Sequence, residues 1–199
     1  MRVPFAPRVV PAATAVLTLG AASAPVRHVT DMAGRSVTLP DRVSRVATLN
    51  SVPVLNSLMM GLGQAGLVAN GVPDYAATSR YKYARVFAPN IYRQPNVLGS
   101  GREPNLEALM AVRPDVAFTL DRPTADQLER AGIPVVFLAW RQAADVRDVM
   151  RVMGDTLGVR QAADEYVQYF DAVVSRVSSA VAAVPRANRP KVLYCNLQR

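Results

Sequence analysis

Apolar positions alternate along the chain between short β-type runs and longer helix-type spacings. Two short alternating runs flank Met32-Ala-Gly-Arg35 within residues 28–39 (HVTDMAGRSVTL), which predicts a hairpin closed by a glycine turn. Residues 45–49 (RVATL) form a β-branched run. The apolar stretch from Val52 to Leu62 then stops at Gly61 and Gly63, so a strand and a helix with a glycine C-terminus are predicted in turn. Residues 66–70 (GLVAN) predict the next strand. After a tyrosine-rich segment, residues 105–112 (NLEALMAV) predict a helix with Leu106, Leu109 and Met110 on one face, broken by Pro114 before a strand at 115–120 (DVAFTL). Residues 124–131 read as a helix stopped by Gly132, and 133–140 (IPVVFLAW) as a continuous apolar strand. Strands without polar alternation imply burial on both faces, and their alternation with helices implies an α/β fold with a mostly parallel, Rossmann-like sheet between helices.

From Asp145 the spacing turns wholly helical. Val146, Val149, Met150 and Met153 mark one helix that closes near Gly158. A longer one runs from about Gln161 to Val184, with Ala163, Tyr166, Val167, Phe170, Val173, Val174, Val177, Ala180, Val181 and Val184 at three- or four-residue steps, the mark of a packing face. About two dozen residues at ~1.5 Å each span roughly 36 Å, the diameter of a small domain. Pro185, Asn188 and Pro190 end it, and residues 191–195 (KVLYC) predict a strand with no neighbour in the chain. The expected organisation is a lobe at 25–143, a helical region at 144–186 and the start of a second lobe at 187–199.

Composition narrows the chemistry. The chain has 199 residues, 50% of them hydrophobic and 19% charged, with one cysteine and one histidine. One cysteine closes no internal disulfide, and one histidine with one cysteine makes neither a tetrahedral zinc site nor a histidine cluster. An imidazole-dependent enzyme would have to recruit His28, near the start of the chain. Neither a metal site nor a cofactor is expected, and an enzyme is disfavoured. The net charge is +8, and all 23 basic residues but Lys82 and Lys191 are arginine. They are scattered singly rather than gathered in the stripe that nucleic-acid binding needs, so no nucleic-acid partner is expected. The exception lies between Gly71 and Arg102, where Arg80, Lys82, Arg85, Arg93 and Arg102 meet only Asp74, interleaved with Tyr75, Tyr81, Tyr83 and Tyr92.

A glycine motif and the N-terminal segment do not bear on ligand chemistry. Gly61-Leu-Gly63-Gln-Ala-Gly66 matches G-x-G-x-x-G, but a helix precedes it and a strand follows, the reverse of what a pyrophosphate site requires, and no acid lies about 20 residues on. The glycines serve a helix stop and a turn. At the start of the chain, Arg2 and Arg8 precede the small apolar stretch 9–24 (VVPAATAVLTLGAASA), which reads as a secretory signal peptide at 1–24, cut after Ala22 or Ala24. It is too short and too rich in Ala, Thr and Gly for a membrane span.

Several short motifs, in order, resemble the solute-binding proteins of ABC importers, in the group where one long helix joins two α/β lobes and the ligands are ferric siderophores, haem or cobalamin. The most specific is Asn105-Leu-Glu107 followed by Arg113-Pro-Asp115-Val116, similar to the family's NLE and KPD signature. Val29-Thr-Asp-Met-Ala-Gly34 with residues 37–40, Leu62-Gly63, Ala131-Gly-Ile-Pro-Val135 and residues 154–158 (GDTLG) accompany it. The resemblance covers about 28–199 and implies a non-catalytic, monomeric periplasmic protein that delivers an iron chelate or haem-like ligand to a membrane permease, with its second lobe beyond residue 199. It also implies that Glu107 docks on permease arginines; the helix dipole alone favours a glutamate in a first turn. The sequence departs from the cobalamin binders: Ala76 stands where they have proline after Asp74-Tyr75, and Gly99 and Leu120 where they have tryptophan.

In parallel sheets, ligands meet the loops at the carboxyl ends of the strands. Those loops here hold Asn50, Ser51, Tyr75, Arg80, Tyr81, Arg102, Arg122, Trp140 and Arg141, the expected ligand-binding set. Planar guanidinium groups pair with carboxylate or catecholate oxygens and stack on aromatic faces, which suits an anionic chelate or a porphyrin. Two other classes are compatible with the chain: a secreted sensory or interaction module binding a partner through the stripe of the long helix, and a small secreted α/β enzyme, for which no nucleophile and base pair is evident.

Overall fold

A computed structural model of the chain describes residues 25–77, 82–99 and 103–193. In chain order the regular elements are β1 (Val26–Thr30), β2 (Ser36–Pro40), β3 (Val46–Thr48), α1 (Val52–Gly61), α2 (Ala84–Phe87), α3 (Leu106–Val112), β4 (Val116–Thr119), α4 (Arg122–Arg130), β5 (Val135–Phe137), α5 (Val146–Leu157) and α6 (Arg160–Ala182), joined by turns and short 3-10 segments. The hairpin and the α/β order are as the sequence predicts. The signal-peptide segment, Arg80, Tyr81, Arg102 and the end of the last predicted strand lie outside the described residues.

Strands β3, β4 and β5 form a parallel sheet in that order, and β1 and β2 pair antiparallel as a separate hairpin. Successive strand side chains point to opposite faces, and here both faces are dry. Val46, Val116, Phe118 and Val136 join the hairpin, α1, α5 and the start of α6 in one core, while Ala47, Ala117, Val135 and Phe137 pack with α3 and α4 in another. The lobe therefore has three layers. All four residues of β4 are buried, which explains why this strand reads as a continuous apolar run.

The signature motif has a structural basis. Asn105 caps α3 by accepting the Ala108 N–H at 3.0 Å. Arg113 ends the helix in the left-handed conformation (φ 51°), Pro114 prevents its continuation, and the Asp115 carboxylate accepts from the Ser44 N–H, the Ser44 hydroxyl and the Arg45 N–H at the entry to β3. Burial opposes ionisation of Asp115, yet these hydrogen bonds hold its carboxyl below the usual range. Arg45 in turn donates twice to the Val112 carbonyl at the end of α3. The substitution Asn105→Ala should cost about 1 kcal/mol of stability, read as a lower urea midpoint with an unchanged slope.

Four expectations need correction. Of the strand predicted at 66–70, residues 66 and 67 belong to a 3-10 turn, and only Val68 bridges to Val46, because the Asn70 side chain takes the Thr48 backbone groups that a further ladder would use. The strand predicted at 133–140 pairs only over Val135–Phe137, since Ala139 and Trp140 already belong to the loop that leads to α5. Met110 is exposed; α3 turns Leu109 and Val112 inward instead. On α6 only Ala163 and Val167 are buried, with Tyr166 and Phe170 partly so, whereas Val174, Val177 and Val181, and Val184 just past the helix, are exposed, so beyond its first turns no described residue covers the stripe. Residues 191–193 are in no regular element.

Candidate functional site

The chain leaves β3 for α1 and the Val68 bridge on one side, and reaches β4 by way of α3 on the other. The carboxyl end of β3 is thus the point where the strand order reverses, and α1 and α3 lie on opposite faces of the sheet. Asn50 sits there with φ 61°, a left-handed conformation that asparagine tolerates better than most residues.

Asn50 joins four segments. Its Oδ1 accepts the Thr119 hydroxyl at 2.6 Å from the end of β4, and its Nδ2 donates to the Thr124 hydroxyl at 3.2 Å in α4. Its carbonyl accepts the Tyr75 hydroxyl at 3.1 Å, so two expected site residues meet directly. Asp121 caps α4, accepting from the Thr124 N–H (2.9 Å) and hydroxyl (2.7 Å). Below this layer, Asn70 is fully buried: its Oδ1 accepts the Thr48 N–H at 2.7 Å and its Nδ2 donates to the Thr48 carbonyl at 3.0 Å, replacing the ladder bonds that a longer fourth strand would have made. The Thr48 hydroxyl donates to Asn56 Oδ1 at 2.8 Å. Thr48, Asn56, Asn70, Thr119, Asp121 and Thr124 are absent from the expected set. A polar residue at the end of an apolar strand is the signal that points to Thr48 and Thr119, and an Asp three residues before a Thr at a helix start points to Asp121 and Thr124; Asn56 and Asn70 depend on Thr48, 8 and 22 positions away.

The remaining expected residues are dispersed along this edge. Ser51 precedes α1 and makes no capping bond with its side chain. Arg122 lies along α4 in an ion pair with Asp126 (2.7 Å), its guanidinium 5.8 Å from the Phe137 ring centre. Trp140 is half-buried against the core that the sheet shares with the hairpin, α1, α5 and α6. Arg141 is exposed, and its N–H donates to Asp145, whose carboxyl the Arg141 and Gln142 N–H groups hold below the usual range. Glu107 is exposed in the first turn of α3. His28 is on the exposed side of the hairpin, 3.2 Å from the Thr38 hydroxyl. Among the described residues no group of three or more His, Cys, Asp or Glu side chains could hold a metal ion, and no helix is long and apolar enough to cross a membrane.

Residues 47–199 match the model of a family described as periplasmic binding protein. No curated protein matches the chain in sequence. Similar solved structures include a periplasmic solute binding protein from Veillonella parvula (TM-score 0.71, 19% identity, covering 81% of this chain and 50% of that one). The molybdate periplasmic binding protein MolA of Haemophilus influenzae, bound to molybdate, is similar over 82% of this chain and 56% of its own (TM-score 0.69, 21% identity). The heme binding protein HmuT is similar over 92% of this chain and 56% of its own (TM-score 0.61, 22% identity). At these identities the likeness is one of fold, and the chain spans about half the length of each of these proteins.

Proposed function

The chain belongs to the periplasmic binding protein family, and on that premise we propose that it is the ligand-capturing part of an ABC importer's solute-binding protein. Its cargo in this reading is an iron chelate, such as a ferric siderophore, or a haem-like molecule. The observation that carries the reading is the meeting of Asn50, Tyr75, Thr119 and Asp121 at the strand-order reversal, where this fold class presents its ligands. In this reading the guanidinium groups of Arg122 and Arg141 and the ring of Trp140 add contacts to the ligand. Arg122 is about half exposed, and an exposed ion pair such as its contact with Asp126 is worth about 0.3–0.5 kcal/mol, so it can be exchanged cheaply for a ligand carboxylate. The haem-binding relative HmuT supports the cargo class; MolA, with a bare oxyanion, marks the competing one.

In the same reading, residues 1–24 direct export to the periplasm, 25–143 form the capturing lobe, 144–186 carry the interlobe helix, and 187–199 lead into a second lobe. Glu107, exposed on α3, docks on the permease. A second reading, a secreted interaction module, rests on the exposed part of the long helix's stripe, Val174, Val177 and Val181, with Val184 just past it.

Titrating the chain with haemin, a ferric hydroxamate, cobalamin and molybdate separates these. Saturable quenching of Trp140, the one tryptophan, is expected with haemin or the ferric hydroxamate. The double variant Arg122→Ala, Arg141→Ala should bind about 10-fold or more weakly, as expected for lost charge-assisted hydrogen bonds. A response to molybdate alone would replace the cargo class, and silence toward all four with concentration-dependent self-association would favour the interaction module.

A further inference from the structure

A cavity of about 320 Å³ lies between one side of α1 and the segment that follows Val72, lined by Pro53, Asn56 and Met60 of the helix and by Tyr83, Phe87 and Tyr92 across from it. None of the described residues lining it is charged, and most of them are aliphatic or aromatic. The far wall is held in place. Ala88 and Ile91 are buried in the core, and the Gly71 N–H donates to the Pro95 carbonyl at 2.7 Å, closing the base of the segment. Gly71 has to be glycine, because a Cβ there would collide with the Gln94 carbonyl oxygen.

One polar group is set into this wall. Asn56 is only 3% exposed, and its Oδ1 is engaged by the Thr48 hydroxyl. Its Nδ2 has no hydrogen-bond partner among the described residues. No fully enclosed side-chain nitrogen or oxygen among them lacks a partner, so this Nδ2 opens to free space, and the cavity is the space Asn56 lines. A buried amide donor with nothing to donate to costs stability unless a ligand or water accepts from it. Two cations flank the rings: the Arg85 guanidinium is 4.2 Å from the Tyr92 ring centre and the Lys82 ammonium 5.2 Å from that of Tyr83.

From this arrangement we infer a second ligand site, outside the strand-end residues, that takes a planar aromatic group of one or two rings bearing a carboxylate or phenolate oxygen. The rings stack among Tyr83, Phe87 and Tyr92, where aromatic pairs gain beyond their buried area. The oxygen accepts from Asn56 Nδ2, and Lys82 and Arg85 favour its negative charge. A cavity of ~150 Å³ lined by apolar groups holds a benzene ring, so this one has room for two fused rings. The site does not depend on which cargo the strand-end residues take, or on whether they take any.

The test is calorimetric titration of the full chain with 2-naphthoate and, separately, naphthalene. Saturable one-site binding of naphthoate is expected. Asn56→Leu should weaken naphthoate by about 10-fold or more, the range for a hydrogen bond to a charged group, and change naphthalene by less than about 2-fold. Phe87 is exposed, so Phe87→Ala spares folding and should weaken both ligands alike. If Asn56→Leu does not fold, Ala84→Phe, which fills the cavity from its partly buried edge, must abolish both. Absence of saturable naphthoate binding, equal affinity in the Asn56 variant, or undiminished binding to the filled variant would each overturn the assignment. The haemin titration reads the strand-end site independently.

Discussion

Replacing Asp31 by alanine should lower the melting temperature by roughly 10 °C at neutral pH, and the deficit should shrink once the pH falls below about 4. The Asp31 side chain is fully buried, and its oxygens take five hydrogen bonds: from the Ala33 and Arg35 N–H groups (both 2.9 Å), twice from the Arg35 guanidinium (2.9 and 2.7 Å) and from the Phe137 N–H (3.2 Å). These bonds shape the hairpin turn and dock it on the end of β5. Arg35 continues to Glu129 of α4 at 2.8 Å. Removing the carboxylate leaves a mostly buried guanidinium short of its partner and three backbone N–H groups without acceptors, a loss of about 3–5 kcal/mol. For a chain of this size each kcal/mol moves the melting point by about 2–4 °C.

The pH dependence follows from the same contacts. Burial opposes ionisation of Asp31, but the hydrogen bonds from Arg35, Ala33 and Phe137 outweigh it and hold the carboxyl below its usual range. The folded state therefore binds this proton less readily than the unfolded state, where an aspartate titrates near 3.9. Its contribution is present in full above that value and disappears as pH falls through the lower folded one. Asp115 acts in the same sense. Thermal melts of the unmodified chain and Asp31→Ala from pH 7 downward should draw together as the pH falls below about 4; parallel curves would show that the carboxylate's charge contributes nothing.

The second large effect is expected at the crossing of α5 and α6. A Cβ built on Gly154 would stand 2.6 Å from Ala163 Cβ, closer than atoms can approach without moving the helices, and 3.4 Å from the Arg160 Cα. The two helices form the most extensive helix pair in the lobe; Arg147 pairs with Asp171 and lies 5.1 Å from the Phe170 ring centre across it, and Tyr166 of α6 reaches over to Gly61 of α1. Overpacking of this kind costs about 1–3 kcal/mol, so Gly154→Ala should melt lower by several degrees despite alanine's better helix propensity. Ala163→Gly in the same chain removes the opposing methyl group. It should restore most of the loss, less the ~1 kcal/mol that glycine costs within a helix. A double-mutant cycle with a coupling below about 0.5 kcal/mol would mean that the helices separate freely there.

The sequence alone determined the parts of this protein that depend on neighbours within a turn or two. The hairpin, the helices capped by Asn105 and Asp121 and closed by Gly158, and the apolar runs of β3, β4 and β5 all follow from short-range preference and from period, and together with the ordered motifs they sufficed for the α/β class and the family. Pro114 and Asp115 were legible for the same reason. What only the tertiary structure decided is how polar groups distant in the chain satisfy one another. Asn70 ends a would-be strand after one bridge because its amide substitutes for backbone partners on Thr48, 22 positions earlier. Asn50 becomes a junction through Thr119, Thr124 and Tyr75, between 25 and 74 positions away. Asn56, a polar residue inside an apolar helix, reads as nothing in particular until Thr48 takes its oxygen and leaves its nitrogen facing the cavity. Periodicity places a side chain on a face; whether that face meets a core, a partner or open water is settled by what the rest of the chain brings to it, as the exposed end of α6 shows.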